Sequence, residues 1–214
     1  IKGAISYEIS QLEKACGGVD LADVQKTLAA LQSDYRVKAA VLDINSPGGS
    51  VTGVFETARA VQSLRTKMSV IAHASRVAAS AGYFLGAGAS AFYANESALL
   101  GSIGTYMAIM DKSRAMEMQG LSVDVVKSSD SPIKGIGIPG TSMSAEQRES
   151  LQKQMDHLNG VFTGFVKSNR RAVSDEAMTG ATFYGSEAKR VGLIDSVASL
   201  ETAIRDAAAM AKIR

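Results

Sequence analysis

The chain has 214 residues, 46% hydrophobic and 21% charged, the balance of a globular protein with one sizeable core, and it is expected to form a single domain over residues 1–214. Its 23 basic and 21 acidic residues leave a net charge of +2 with no basic stripe, which argues against a nucleic-acid partner. One cysteine, Cys16, and two histidines exclude an intramolecular disulfide and argue against a metal site of the zinc type.

In chain order, "IKGAISYEI" alternates like a strand, and "DLADVQKTLAALQSDY" predicts a helix capped by Asp20 with Leu21, Val24, Leu28 and Leu31 on one face. "VKAAVLDI" reads as a buried parallel strand, "SPGGS" as a break, and residues 51 to about 65 as a second helix. "MSVIAHA" is a third strand, followed by the small-residue segment "SRVAASAGYFLGAGAS", which opens another helix at about Ser80. The alternation of strand and helix predicts an α/β fold with ligand groups gathered at the carboxyl ends of the strands. Further on, "ASAFYA" and "SVDVVKS" read as strands, with a helix from Asp111 to about Gln119 between them. Residues 128–142, rich in Gly and Pro, form a loop. Long helices are expected over about 144–171, opened by a Ser144/Gln147 capping box, and over about 199–212. The apolar stretch 81–94, interrupted by glycines, is too short to span a bilayer. The chain as given reads as soluble, although it begins at Ile1 rather than methionine, and an upstream leader or anchor stays open.

Two segments suit chemistry. In "DINSPGGS" the Pro47 turn exposes the Gly48 and Gly49 amides before a helix, a geometry fit for an oxyanion; a plain strand-to-helix turn is the ordinary alternative. The loop lacks the Lys-Ser/Thr ending of a phosphate-binding loop. Ser80 is an N-cap by base rate, but its position after the neighbouring strand lets its hydroxyl face those amides, with the Ala81 amide as a further donor. Such a serine needs a base. His73 falls in mid-strand and reads as a packed core histidine, while His157 reads as a solvated helix residue, which disfavours a Ser-His-Asp triad. Lys134, between Ile133 and Gly135 in "SPIKGIG", is the remaining candidate, provided burial disfavours its charged form. Lys127 is its rival.

"LDINSPGG", "AASAGYFLGAGAS", "LLGSIGT" and "YGSEAKRVGLID" follow one another as in the serine-lysine peptidases related to signal peptide peptidase A, and the chain resembles that family from about Lys2 to about Ser199. The resemblance implies an α/β Clp protease/crotonase-like fold, a β-α-β superhelix. It implies Ser80 as nucleophile, Lys134 as base, Ser102 as the serine that hydrogen-bonds the lysine, and Gly48, Gly49 and Ala81 around the oxyanion hole, with no metal or organic cofactor. Thr105 and Tyr106 stand where the Clp subunit would carry its histidine.

The implied partners are a peptide or protein substrate and further copies of the chain, a homo-oligomer. Two roles compete within the family: cleavage of phage scaffold and capsid proteins in the host cytoplasm, towards which "SVTGVFETA" and "GATFYGSEA" lean, and membrane-associated degradation of signal peptides. A crotonase-like acyl-CoA enzyme, with Asp43 and Glu56 as the nearest carboxylates, and an inactive assembly scaffold are the readings from other classes.

Overall fold

Strand alternation at the N-terminus gives way early, because Glu8 adopts φ 54° and turns the chain out of extended geometry. In the computed structural model, which describes residues 1–212, the strand is therefore only Ile5–Ser6 (β1). It is followed by Gln11–Ala15 (α1), Val19–Asp20 (β2) and Leu21–Ser33 (α2). Asp20 caps α2 by accepting the Ala22 N–H, and Leu21 and Leu28 are buried on the face that the sequence predicts. Ala39–Ser46 (β3), Val54–Leu64 (α3), Ser69–Ala79 (β4), Ala81–Ala87 (α4), Ala91–Ala94 (β5) and Leu99–Gly101 (β6) follow. The chain continues through Ser113–Glu117 (α5), Ala145–Asn169 (α6), Thr182–Tyr184 (β7), Gly185–Arg190 (α7), Ser196–Val197 (β8) and Leu200–Lys212 (α8).

β4 is the centre of a six-stranded sheet. It pairs in parallel with β3 along one edge, and with β5 and then β6 along the other. β8 adds in parallel to β5, and β7 closes the far side antiparallel to β6. Helices α3 and α4 supply the crossovers between parallel strands, the connection such strands require. β3 is less buried than its apolar run predicts. Leu42, Ile44 and Ser46 are buried, whereas Val41, Asp43 and Asn45 are only partly covered. One face of the strand meets the main core; on the other, the small cluster of Ile71, Ala91, Ala203 and Ala207 leaves Val41 at its margin.

The chain divides into two compact units, Ile1–Gly104 with Phe162–Arg214, and Thr105–Val161. The first contains the sheet. Its core is centred on α4, where Phe84 stacks on Phe165 at 4.6 Å and meets Phe162 and Phe55 edge-on at 4.7 and 5.2 Å. Fully burying each such ring contributes about 2–3 kcal/mol. The far end of α4 is held by Arg170, itself only 5% exposed. Arg170 donates to Ala87 O (3.3 Å), Ala89 O (2.7 Å) and Asp195 Oδ2 (2.5 Å), and a cation there complements the C-terminal end of a helix.

The second unit comprises α5, the Gly/Pro loop and the first part of α6. The expected capping box is present: Ser144 Oγ accepts the Gln147 N–H at 3.2 Å, and Gln147 Oε1 accepts the Ser144 N–H at 3.0 Å. Residues 122–128, whose alternation predicts a strand, pair with no strand among the described residues. Alternation makes a strand only where a neighbouring backbone supplies the ladder.

Candidate active site

β4 runs to Ala79 and α4 begins at Ala81, so the chain turns from strand to helix through one residue. That residue, Ser80, has φ 51° and ψ −123°, a conformation that costs a side-chain-bearing residue about 1–3 kcal/mol and persists only when its surroundings enforce it. They do so here through two backbone bonds: the Ser80 N–H donates to Gly101 O at 2.9 Å, and Ser80 O accepts the Phe84 N–H at 2.9 Å. The Ser80 hydroxyl makes no capping hydrogen bond. The usual structural duty of a serine at a helix start is thus not performed by this side chain.

The Pro-Gly-Gly turn lies against it. The register of β3 on β4 slips between Ile44 and Ser46, after which Gly48 adopts φ +106°. A Cβ on Gly48 would stand 2.7 Å from Ser80 Cβ and 3.1 Å from Ser80 Oγ, so glycine is what allows the two backbones this proximity. The turn is pinned by the β1 segment, where Ile5 N–H donates to Gly48 O and Ser50 N–H to Ile5 O, each at 2.9 Å. The Gly48 N–H donates to Ser46 Oγ at 3.1 Å. Ser46, fully buried, is a site residue that the sequence reading passed over; a serine two residues before the bonded N–H in a Ser-Pro-Gly turn is its signal.

Ser102 sits beside this centre. Ala79 of β4 is in register with Gly101 of β6, so Ser80 and Ser102 leave adjacent parallel strands together, and Ser102 also has φ 51°. Its N–H donates to Ala181 O at 2.8 Å. Ala81 opens α4, where first-turn N–H groups have no intrahelical acceptor. Tyr83, three residues after Ser80, is fully buried and donates to Leu193 O at 2.8 Å; burial pushes its phenol well above the ordinary value.

Lys134 belongs to the second unit, where its side chain is exposed, so the chain's own residues do not supply the burial expected of a lysine base. Its N–H donates to Ser131 O at 3.2 Å and its carbonyl accepts from Gln147 Nε2 at 3.3 Å. The Lys127 ammonium donates to Pro132 O at 3.2 Å. Within the same unit a cavity of about 500 Å³ is lined by Met107, Met110, Met143, Met155, Leu151 and Gln147, among others.

Of the other titratable candidates, His73 is fully buried with Nε2 3.0 Å from Ala198 O, and His157 is exposed on α6. Asp43 pairs with Lys2 at 2.9 Å and Glu56 is exposed on α3, so neither is directed to Ser80 by an observed bond. No metal-binding group of three or more His, Cys, Asp or Glu side chains exists among the described residues, and none of their helices is long and apolar enough to cross a membrane.

This arrangement accords with the similarities of the chain. A model of the Clp protease family matches residues 10–100. A solved mutant of the 1510-N membrane-bound stomatin-specific protease superposes with a TM-score of 0.56 at 15% identity, over 96% of this chain and 80% of that one, and shares the fold. The α/β Clp protease/crotonase-like fold expected from the motif order is therefore the fold observed. Capsid assembly protease C of Escherichia phage lambda is 29% identical over 95% of this chain and 46% of its own length. Protease 4 of Salmonella typhi is 30% identical over 85% of this chain and 29% of its own length. The chain thus spans less than half of either relative. The model described as peptidase family S49 matches residues 62–214, a stretch that holds Ser80, Ser102 and Lys134 together, and the chain belongs to that family.

Proposed function

We propose that the chain is a serine endopeptidase with Ser80 as nucleophile and Lys134 as general base. The observation that carries this reading is the backbone of Ser80, held at φ 51° between strand and helix with a hydroxyl that caps nothing and a Pro-Gly-Gly turn in contact with it. With its amine desolvated by the bound substrate, Lys134 takes the hydroxyl proton as Oγ attacks the peptide carbonyl carbon. The oxyanion is received by the Gly49 and Ala81 N–H groups, joined by that of Gly48 when it leaves Ser46 Oγ. Lys134 passes its proton to the leaving amine, the C–N bond breaks, and an acyl-enzyme remains. Water then attacks the ester, giving its proton to Lys134, and Ser80 regains a proton as the acid departs. Ser102 orients the lysine amine, and no cofactor takes part. On this reading residues 1–214 act as one peptidase domain.

The substrates on this reading are scaffold or capsid proteins, supported by the similarity to the phage lambda protease across 95% of the chain. The working form is a homo-oligomer, supported by exposed Tyr106, Met110 and Val126 (91%, 76% and 93%) in the second unit, surface that a second copy would cover. Ser80→Ala and Lys134→Ala should each abolish peptide hydrolysis with the fold intact, and Lys134→Arg should do the same because a guanidinium stays protonated. Full activity of Lys134→Ala would transfer the role to Lys127 or elsewhere. Mass spectrometry of products from a phage scaffold protein and from signal peptides separates the two substrate classes; cleavage of signal peptides alone would overturn the capsid reading.

A further inference from the structure

Gln147 performs two tasks with one amide. Its Oε1 completes the capping box of α6 by accepting the Ser144 N–H at 3.0 Å, an ordinary helix-start role. Its Nε2 points the other way and donates to Ile133 O at 3.2 Å and to Lys134 O at 3.3 Å. The residue is 4% exposed, although α6 around it is mainly solvent-facing. A capping box needs only the acceptor oxygen, and a glutamate would supply it equally well. The amide nitrogen is the part that a cap does not explain, and both of its protons are spent on the backbone carrying Lys134.

We infer that Gln147 is a positioning residue for the peptidase reaction, fixing the lysine loop to the first turn of α6 so that the Lys134 side chain starts from a defined backbone; this rests on Lys134 being the general base. Among the described residues the loop pairs with no strand, and within the turn Lys134 is held by its N–H to Ser131 O at 3.2 Å. A base placed by such a loop loses efficiency quickly when the loop wanders, since misplacement by about 1 Å costs about 10²-fold in rate. The Gln147 side chain supplies the long-range tie, from a helix 13 residues further along the chain.

Gln147→Glu separates the two tasks. The carboxylate still accepts the Ser144 N–H, but it cannot donate at neutral pH and repels the two carbonyls it faces. Its kcat on a peptide substrate should fall at least 10-fold with KM within about threefold. Hydrogen exchange in the peptide covering residues 128–137, followed by mass spectrometry, should accelerate by about 10-fold. Ser144→Ala, which removes the cap acceptor and keeps the Nε2 donors, should hold kcat within about threefold of the parent. Equal loss of melting temperature in both variants with kcat unchanged would reduce Gln147 to a helix-start residue and overturn the inference. Lys134→Ala, assayed alongside, distinguishes the failures: if it is inactive while Gln147→Glu turns over normally, the positioning role is wrong and the base stands. If Lys134→Ala is active, the catalytic part is refuted whatever the exchange shows.

Discussion

Gly48→Ala tests the contact on which the site is built. The added Cβ would sit 2.7 Å from Ser80 Cβ, 3.1 Å from Ser80 Oγ and 3.1 Å from Ala79 O. Ordinary carbon contacts begin near 3.4 Å, so Ser80 or the turn has to retreat by about 0.7 Å. Ser80 resists, being tied to Gly101 O and to the first turn of α4. The turn resists too, because Ile5 grips it from behind. The φ of +106° at Gly48 adds about 1–3 kcal/mol of backbone strain for alanine, which for a chain of this size lowers the melting temperature by about 2–4 °C per kcal/mol. The protein should therefore still fold, while a displacement approaching 1 Å at Ser80, the proposed nucleophile, lowers kcat/KM by about 10²-fold. Steady-state hydrolysis of a fluorogenic peptide, with calorimetry on the same sample, reads both quantities. Gly49→Ala is the control for the fold: its Cβ would overlap Ile5 O at a separation below 2 Å, and it should destabilise the protein more than Gly48→Ala does. If Gly48→Ala keeps kcat/KM within threefold, Ser80 is not the reacting group or the turn is not its neighbour during catalysis.

Two further outcomes follow from contacts away from Ser80. Arg170→Met strands Ala87 O, Ala89 O and the Asp195 carboxylate; removal of one partner from a buried ion pair costs about 3–5 kcal/mol, and the half-exposed Asp195 places this case near about 3. Urea unfolding should show that loss, and a change below about 1 kcal/mol would contradict the role assigned to Arg170. At the N-terminus, Lys14 lies 2.8 Å from Asp20 and 2.5 Å from Asp23, and its hydrogen bonds hold both carboxyls below the usual carboxylate range. A depressed folded-state pKa gives stability that is present above the unfolded value and lost as pH falls through the folded one. The stability difference between the parent and Lys14→Met should therefore be full at pH 7 and vanish once both carboxyls are protonated in strong acid; a difference that persists unchanged there would exclude the ion pair as its source.

What the sequence made legible was mainly local. Asp20 and the Ser144/Gln147 pair announce helix starts because a cap is decided within four residues, and both occur as expected. The Gly48-Gly49 turn and Ser80 were visible as neighbours because parallel strands separated by one helix deliver their ends to the same side. Features that depend on distant backbone were not. β4 continues five residues beyond Ala74 because β6 and the end of β3 offer it partners that no local pattern reveals. Residues 122–128 have a strand's alternation and lack the partner. The φ of Ser80 is imposed by Gly101, 21 residues later, and the second use of Gln147 depends on where the lysine loop returns. Local propensity carries no record of either.

The Arg170 anchor also bears on the order in which the molecule is made. α4, about 10 Å long, carries Ser80 at its front and is gripped at its rear by a residue 90 positions later in the chain, which is itself held by Asp195. A ribosome releases β4 and α4 long before either of those side chains emerges. During synthesis the front of α4 can thus be set early, once Gly101 is available to Ser80, whereas its rear is anchored late, when Arg170 and Asp195 have emerged.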